Sequence, residues 1–477
     1  MPASTKVLVL YAGGTFGMAP DAATPGLPLR PMNLAQLERL LPKPPKGVNV
    51  VLASLQRPLD SASMTPQDWL VIARTIAAGY ESHDGFVVIH GTDTLAWTAS
   101  ALSFIFENLA KPVVFTGSMA PLVEPGSDAG DNYRRALQVA GYRACALPLV
   151  PEVVVAFGAK LLRGCRTRKI DGEARGAFAS PNCPSLGTFG AKTRIFAARL
   201  RAAPDADQAF RVNAVLAEHV VDIALYPGLA SRRLKAALAG VKGAVLRTYG
   251  SGNAPDDAEF LGALGDAVAR GAAIVSVSQV LKGMVKMGAY AASLGLDQAG
   301  LISGFDITPE AALAKLTVTL GMHGGAAARR ELQISQRGEQ SRNLFDFNFK
   351  IPGKATDKPW SDFVVPDRRF DPTALSTAVL RMKAMKVEVA ADADNPVVDL
   401  YMNFPAAKQD ATEKANHPRR LHRIQLTNSG SFDVVETLPK EKVKNVIGDS
   451  DVTLTFVPSK GVSIKFDKLS LSVFTRA

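Results

Sequence analysis

Two threonines in this sequence stand where a side-chain hydroxyl could act as a nucleophile. The first, Thr15, follows a pair of glycines in the run YAGGTFGM at residues 11–18. Glycine tolerates positive φ and lets the backbone approach a ligand, so a glycine pair after a strand marks a tight turn or a small-molecule site. The run has neither the lysine of a P-loop nor the G-x-G-x-x-G spacing of a phosphate cradle. A simple turn and a nucleophilic Thr15 therefore stay open as interpretations.

Three further runs carry polar groups that could serve such a nucleophile. They supply Thr92 and Asp93 in HGTDT, Lys169 in RGCRTRK, and Asp60 and Ser61 in LDSASMTP. A threonine hydroxyl needs a base to take its proton, and a desolvated lysine can be that base. A carboxylate can tune the lysine or bind the ammonium of an amino acid. Together these groups describe an amide hydrolase that acts on an amino acid.

The elements that must position these groups alternate between short apolar runs and helical patterns, from residue 6 to about residue 322. That alternation is typical of βα units around a largely parallel sheet. Thr65 and Asp68, with Pro66 between them, predict the start of one helix. The strand at residues 85–90 leads into GTDT, and the next helix is predicted with an apolar face of Leu95, Ala99, Leu102, Phe106 and Leu109. GTDT thus lies at the carboxyl end of a strand, where open α/β sheets bind ligands.

The pattern changes along the chain and predicts three domains. Residues 1–200 and 210–345 are predicted as two α/β domains, and residues 355–477 as an accessory all-β domain with antiparallel, sandwich-like strands. Strict alternation in the last domain places three apolar sets each on one strand face: Val452, Leu454 and Phe456; Val462, Ile464 and Phe466; Leu469, Leu471 and Val473. The accessory domain's sequence shows no catalytic grouping, and its role is open.

Composition sets limits on partners and location. The 477 residues are 47% hydrophobic and 21% charged, as in ordinary soluble proteins, and no apolar run approaches the roughly 20 residues of a membrane helix. Three cysteines without metal spacing, and no secretory signal, favour a cytoplasmic location. The net charge of +11 favours a basic surface or anionic small molecules, because no nucleic-acid-binding module is recognisable. We therefore expect neither a membrane nor a nucleic-acid partner.

The motifs resemble those of the L-asparaginases, specifically the cytoplasmic bacterial type I branch and the related mammalian enzyme. The matching stretches span most of residues 6–339: YAGGTFGM, DSASMTPQDW, GFVVIHGTDTLAWTASALSFIFENLAKPVVFTGSMAPL, LLRGCRTRK, GAFASPN, YPG, YGSGNAP and ISGFDITPEAALAKL. The resemblance implies a two-domain α/β fold, a homodimer or homotetramer, and hydrolysis of L-asparagine to L-aspartate and ammonia without a metal or cofactor. L-Glutamine is the second substrate candidate, because one methylene changes binding by only about 1–3 kcal/mol. Ordinary family members end near residue 339, so the β domain is a departure from the family.

The resemblance also implies a role for each matched residue. Thr15 attacks the side-chain amide carbon and forms an acyl-enzyme, ammonia leaves, and water then frees the acid. A second, triad-like group activates the water or relays protons; its members are Thr92, Asp93 and Lys169. The residues implied in substrate binding are Asp60, Ser61, Gly91 and Asn253. The main chain of Gly91 and Thr92, at a helix start, suits an oxyanion.

One departure near the site concerns a tyrosine that assists the threonine. Leu27 stands near the place of a loop tyrosine that assists the threonine in the bacterial branch, and Tyr290 matches a tyrosine that both branches share. Tyr290 is therefore predicted as a catalytic helper, with a core aromatic as the alternative.

The branch also has an intersubunit effector site for asparagine. Arg168 and Val280 replace the small threonine and the cysteine of that site, whereas Arg247 and Asn253 match other positions. Because an arginine would fill or recharge the pocket, we expect weak or absent activation by asparagine, seen as a hyperbolic rate curve.

Two other functions stay open from the sequence. The fold also serves as the ammonia-producing subunit of a tRNA-dependent amidotransferase, although this chain has only a few residues before its first strand. The altered loop is also compatible with a catalytically weak amino-acid-binding protein.

Overall fold

The computed structural model describes residues 4–20, 29–287, 291–351, 355–364, 369–371, 374–403, 420–426, 429–438, 440–446 and 452–477. The chain divides into two compact units. The first unit comprises Met1–Leu332 and Gln336–Gln340, and the second comprises Gln333–Ser335 and Ser341–Ala477.

An eight-stranded sheet forms the centre of the first unit. Its strands, in spatial order, are Thr193–Ile195, Gly187–Phe189, Lys160–Arg163, Val153–Phe157, Val113–Thr116, Gly85–Ile89, Thr5–Gly13 and Val48–Leu59. The last five of these run parallel, and the first three are antiparallel to their neighbours. Every residue of Gly85–Ile89 is buried, as expected for a central parallel strand that is covered on both faces. The predicted mainly parallel sheet is thus confirmed.

A second, four-stranded parallel sheet follows in the same unit. Its strands are Val220–Ala224, Gly243–Thr248, Ala273–Ser278 and Ile302–Ser303. Short antiparallel pairs join Met18–Ala19 to Arg30–Pro31, Phe106–Glu107 to Arg211–Val212, and Arg168–Lys169 to Phe178–Ala179. The helices between Leu34 and Gln333 are Leu34–Leu40, Pro66–Ala78, Leu95–Ile105, Ala129–Ala140, Ser231–Ala237, Ala258–Ala269, Ala291–Gln298, Pro309–Met322 and Gly325–Gln333.

The two helices that flank the GTDT loop begin where the sequence predicts. Pro66–Ala78 begins with a capping box, in which the Asp68 carboxylate accepts hydrogen bonds from the Thr65 backbone N–H at 2.7 Å and its hydroxyl at 2.8 Å. Leu95–Ile105 follows Thr94 directly and is buried at all of its positions except the partly exposed Trp97. A helix that is apolar on all sides needs cover on all sides, and Pro309–Met322 packs against it.

The predicted length of that second helix is wrong, because the helix ends at Ile105. Phe106 is extended and forms a strand pair with Val212, and Asn108 adopts a left-handed φ of 53°. Leu109 therefore lies outside the helix and packs on the core from a loop.

The second unit is built from antiparallel sheets. One sheet contains Arg342–Phe349, Lys468–Arg476, Leu375–Val389, Gly430–Leu438 and Val462–Lys465. The other contains Trp360–Val364, Val452–Pro458, Val397–Met402 and Arg420–Gln425. The three predicted apolar faces are buried and belong to one core cluster that draws on both sheets. The antiparallel sheets and their shared core confirm the predicted all-β, sandwich-like class. A short helix, Lys440–Val446, is added to them.

Candidate active site

Lys169 joins two of the predicted catalytic side chains. Its Nζ donates to Thr92 Oγ1 at 2.9 Å and to Asp93 Oδ1 at 2.7 Å. The Lys169 side chain is 21% exposed and that of Asp93 is 61% exposed, so the pair opens to solvent on the carboxylate side. Thr92 is buried. We call these three residues the lysine cluster.

Close contact between two backbone segments places Thr15 beside this cluster. Gly14 has a φ of 87°, and a Cβ there would collide with the Gly91 backbone. A Cβ on Gly91 would come within 2.5 Å of Ser61 Oγ. Only glycine fits at both positions, because the two loops touch through their main chains. The half-buried Thr15 begins the 3-10 turn Thr15–Gly17 directly after this contact.

The loop that contains Asp60 and Ser61 is tied to the GTDT loop. The Thr94 hydroxyl donates to the Ser61 carbonyl at 2.7 Å, and the Asp60 carboxylate accepts from the Ala62 N–H at 3.1 Å. Ser61 is buried under Gly91, whereas Asp60 is exposed. The structure therefore brings Asp60, Ser61, Gly91 and the lysine cluster to one edge of the sheet, with the loop of Thr15 against them.

His90 lies next to this edge but is poorly suited to act as a base. Its ring is fully buried, and its Nδ1 lies 2.7 Å from the Gly91 carbonyl. Burial lowers the pKa of His90 to about 4, although the Gly91 hydrogen bond opposes that shift. The ring is thus neutral at physiological pH and supports the Gly91 main chain.

Asn253 lies apart from these loops, in a turn of the second parallel sheet. Its backbone N–H donates to the Tyr249 carbonyl at 2.9 Å, and its buried Oδ1 has no hydrogen-bond partner among the described residues. Nearby in the same sheet, Arg247 Nε donates to Asp222 Oδ1 at 2.8 Å. Leu27 and Tyr290 lie outside the described residues.

Two ion pairs beside Lys169 were missed by sequence reasoning. Arg166 pairs with Asp306 at 2.9 Å, and both side chains are 5% exposed. Arg168 Nε pairs with Glu310 Oε1 at 3.1 Å. These contacts hold the segment that carries Lys169 against the later half of the first unit. No local sequence signal could have found them, because the partners are far apart in the chain.

Two further features are absent from the described residues. Among them, no group of three or more His, Cys, Asp or Glu side chains is arranged to hold a metal ion. None of the helices described for this chain is long and apolar enough to cross a membrane.

Comparison with known proteins identifies relatives across most of the chain. Residues 6–201 match the family model for the asparaginase N-terminal domain, and residues 219–332 match the glutaminase/asparaginase C-terminal domain. L-Asparaginase 1 of Escherichia coli is 38% identical over 340 residues, which cover 70% of this chain and 97% of that protein. The human 60 kDa lysophospholipase is 38% identical over 359 residues, but the match covers only 61% of its length. The crystal structure of L-asparaginase I from Vibrio cholerae superposes with a TM-score of 0.63 at 36% identity, covering 71% of this chain and all of that one.

Proposed function

The chain belongs to the asparaginase family, and we propose that it hydrolyses L-asparagine to L-aspartate and ammonia through an acyl-enzyme on Thr15. The lysine cluster is the observation that carries this proposal. A lysine amine that contacts both a hydroxyl and a carboxylate at the carboxyl end of a parallel strand can move protons next to a bound amide. The E. coli relative, which the chain covers almost completely, is named an L-asparaginase.

In the proposed reaction, the Thr15 hydroxyl attacks the side-chain amide carbon. The proton of the Thr15 hydroxyl is transferred to the amide nitrogen, the C–N bond breaks, and the nitrogen leaves as ammonia. The main-chain N–H groups of Gly91 and Thr92, near the start of Leu95–Ile105, stabilise the oxyanion. Thr92, Lys169 and Asp93 then take a proton from the water that cleaves the acyl-enzyme. Tyr290 is proposed as a helper of Thr15.

Substrate recognition is assigned to the groups at the rim of the same edge. The exposed carboxylates of Asp60 and Asp93 suit the α-ammonium, and Ser61 suits the α-carboxylate, whereas Gly91 acts through the main-chain N–H already assigned to the oxyanion. Asn253, which lies apart from these loops, is kept as a proposed substrate-binding residue on the family resemblance alone. L-Asparagine is the proposed preferred substrate, with L-glutamine as the weaker one.

We further propose that the enzyme is cytoplasmic and acts as a homodimer or homotetramer. All three cysteines, Cys145, Cys165 and Cys183, are free thiols, which fits a reducing compartment. Exposed apolar side chains around the four-stranded sheet of the first unit, at Tyr226, Val280 and Leu281, fit a subunit interface. Light scattering on the purified chain measures the assembly directly.

The decisive experiment is ammonia release from L-asparagine by the intact chain and by its Thr15→Ala variant. We expect kcat to fall at least about 1,000-fold in the variant, because loss of a nucleophile leaves only binding and oxyanion stabilisation. Thr75→Ala, on the helix Pro66–Ala78, is the matched control and should retain full activity. Undiminished ammonia release by Thr15→Ala would disprove the assignment of the nucleophile.

Further substrates separate the remaining functions. The amidotransferase alternative has the weaker support, because a relative that is matched over 97% of its length is named an L-asparaginase. L-Glutamine and a lysophospholipid should be assayed in parallel. Fatty-acid release from the lysophospholipid without ammonia release from asparagine would contradict the proposed function.

A further inference from the structure

A polar cleft in the first unit lies at the opposite edge of the large sheet from the lysine cluster. Its lining includes Val153, the first residue of Val153–Phe157, and Arg163, the last residue of the antiparallel strand beside it. The GTDT loop instead follows the end of the parallel strand Gly85–Ile89. The cleft therefore opens at the amino ends of the parallel strands and shares no residue with the proposed active site.

Positive charge dominates the lining of this cleft. It contains three guanidinium groups and one carboxylate, those of Arg163, Arg201, Arg337 and Glu152. Arg163 donates to Glu152 Oε2 at 2.6 Å and to its Oε1 at 3.1 Å, so these two side chains neutralise each other. The charges of Arg201 and Arg337 are left without a carboxylate in the lining.

Arg337 is held rigidly by uncharged acceptors. Its Nε donates to the Ser103 carbonyl at 2.9 Å, its Nη2 to the Phe106 carbonyl at 3.1 Å and its Nη1 to the Gln336 carbonyl at 3.1 Å. Burial lowers the pKa of Arg337, and the nearby Arg201 lowers it further, while Glu339 and Glu107 oppose the shift. Two guanidinium groups are thus kept close enough to repel each other.

Arg201 differs from Arg337 in how its side chain is held. The backbone N–H of Arg201 donates to Glu152 Oε1 at 2.7 Å, and this hydrogen bond holds the Arg201 backbone beside Glu152. Within the ranges that the structure describes, its guanidinium forms no hydrogen bond or ion pair. The cleft has a volume of about 160 Å³. This is at least ten times the roughly 10–15 Å³ that one water molecule needs, so an anion and several waters fit.

We propose that this cleft binds a small oxyanion, of the phosphate or carboxylate type, between Arg201 and Arg337. Guanidinium groups present parallel N–H donors that match such oxygens, and an anion would relieve the repulsion between the two arginines. The ligand would also connect Arg201, in the segment between the eight-stranded and the four-stranded sheet, to Arg337 near the end of the first unit.

Titration calorimetry on the full chain tests the proposal, with inorganic phosphate and succinate as separate probes at constant ionic strength. We expect saturable binding of one anion per chain to the cleft for at least one probe. Arg201→Gln should weaken it at least about tenfold, because a charge-assisted donor is lost. Arg232→Gln, an exposed arginine on the helix Ser231–Ala237, is the control and should bind like the parent chain.

The two probes also identify the type of anion. Binding of phosphate alone would indicate a phosphate site, and binding of succinate alone would indicate a carboxylate site. Either outcome supports the proposal. An equal unliganded melting temperature for Arg201→Gln and the parent shows that the variant is folded. The proposal is overturned if neither probe binds saturably, or if Arg201→Gln binds as tightly as the parent chain.

Discussion

The two units bury charge in different ways. In the first unit, the pairs Arg166–Asp306 and Lys315–Glu339 have side chains that are at most 5% exposed. In the second unit, Asp399 is 6% exposed, but its partners Arg420 and Arg423 are 20% and 37% exposed. At this cluster the second unit therefore keeps its cations near water, and its core is apolar.

The difference shows where the first unit needs exact placement of segments. A buried ion pair adds little net stability, because desolvation offsets the attraction, but removal of one partner is costly. Arg166 lies three residues before Lys169, so its pairing with Asp306 helps to orient the strand that carries the proposed catalytic amine. In the second unit, strands with alternating apolar residues are sufficient to build the core. None of the residues of that unit belongs to the lysine cluster.

The first prediction tests the chemistry of the first unit. Lys169→Met should lower kcat for ammonia release from L-asparagine by at least about 100-fold, because the proton-transfer group next to Thr92 is lost. Lys160→Met replaces an exposed lysine in the same unit and should leave kcat unchanged. Full activity of Lys169→Met would remove the lysine cluster from the mechanism.

The next effect tests the apolar core of the second unit. Phe456→Ala should destabilise this unit by about 3–5 kcal/mol, because Phe456 is fully buried against Trp360 and Phe466. Amide hydrogen exchange should accelerate in Leu375–Val389 and stay unchanged in Gly85–Ile89. Val435→Ala, at a position that is 56% exposed, should change little. Because no residue of the second unit belongs to the lysine cluster, kcat should be unchanged in Phe456→Ala. A fall in kcat would contradict that expectation.

The third prediction concerns the buried pair Lys315–Glu339, whose Nζ and Oε1 lie 2.7 Å apart. Burial alone would raise the pKa of Glu339, but Lys315 and the N–H groups of Arg337 and Gln336 together lower it to about 2. The pKa of Glu339 is therefore lower in the folded chain than in the unfolded chain. The contribution of its ionisation to the free energy of unfolding is complete above about pH 4.5 and is lost as the pH falls toward 2. Glu339→Gln should therefore lose roughly 3–5 kcal/mol at pH 7.

Urea unfolding from pH 7 to pH 2.5 measures this dependence. The parent chain should lose more stability than Glu339→Gln between pH 4.5 and 2.5, so their difference should shrink. The double variant Lys315→Met, Glu339→Gln should recover much of the loss, because no buried charge is left unpaired. A constant difference across this pH range would show that the pair does not act through the ionisation of Glu339.

Local patterns were sufficient to predict much of the fold. The capping box at Thr65 and the strand before GTDT were visible because caps and buried strands leave short-range signals. The alternating faces of the second unit were equally clear from the sequence. The exact end of Leu95–Ile105 was missed, because its apolar pattern continues into Phe106 although the backbone turns extended there. The boundaries of the three predicted domains stay predictions.

The site could be predicted only in part. Residue types and resemblance pointed to Thr92, Asp93 and Lys169, but their contacts depend on two strands that are distant in the chain. The role of the glycines was open until Gly14 was found against Gly91. Pairs such as Arg168 with Glu310 join positions that no periodicity relates, so sequence reasoning had no means to find them.

The helix Leu95–Ile105, which is buried at every position except Trp97, has a practical consequence for protein engineering. A helix without a solvent face offers no position where a polar or larger residue is cheap to introduce. Variant libraries aimed at substrate range should therefore hold residues 95–105 constant and diversify the rim around Asp60 and Asp93, which faces solvent. In a saturation-mutagenesis map, residues 95–105 should appear as a band of intolerance that is interrupted at Trp97, beside a rim where the proposed substrate-binding groups are the intolerant positions.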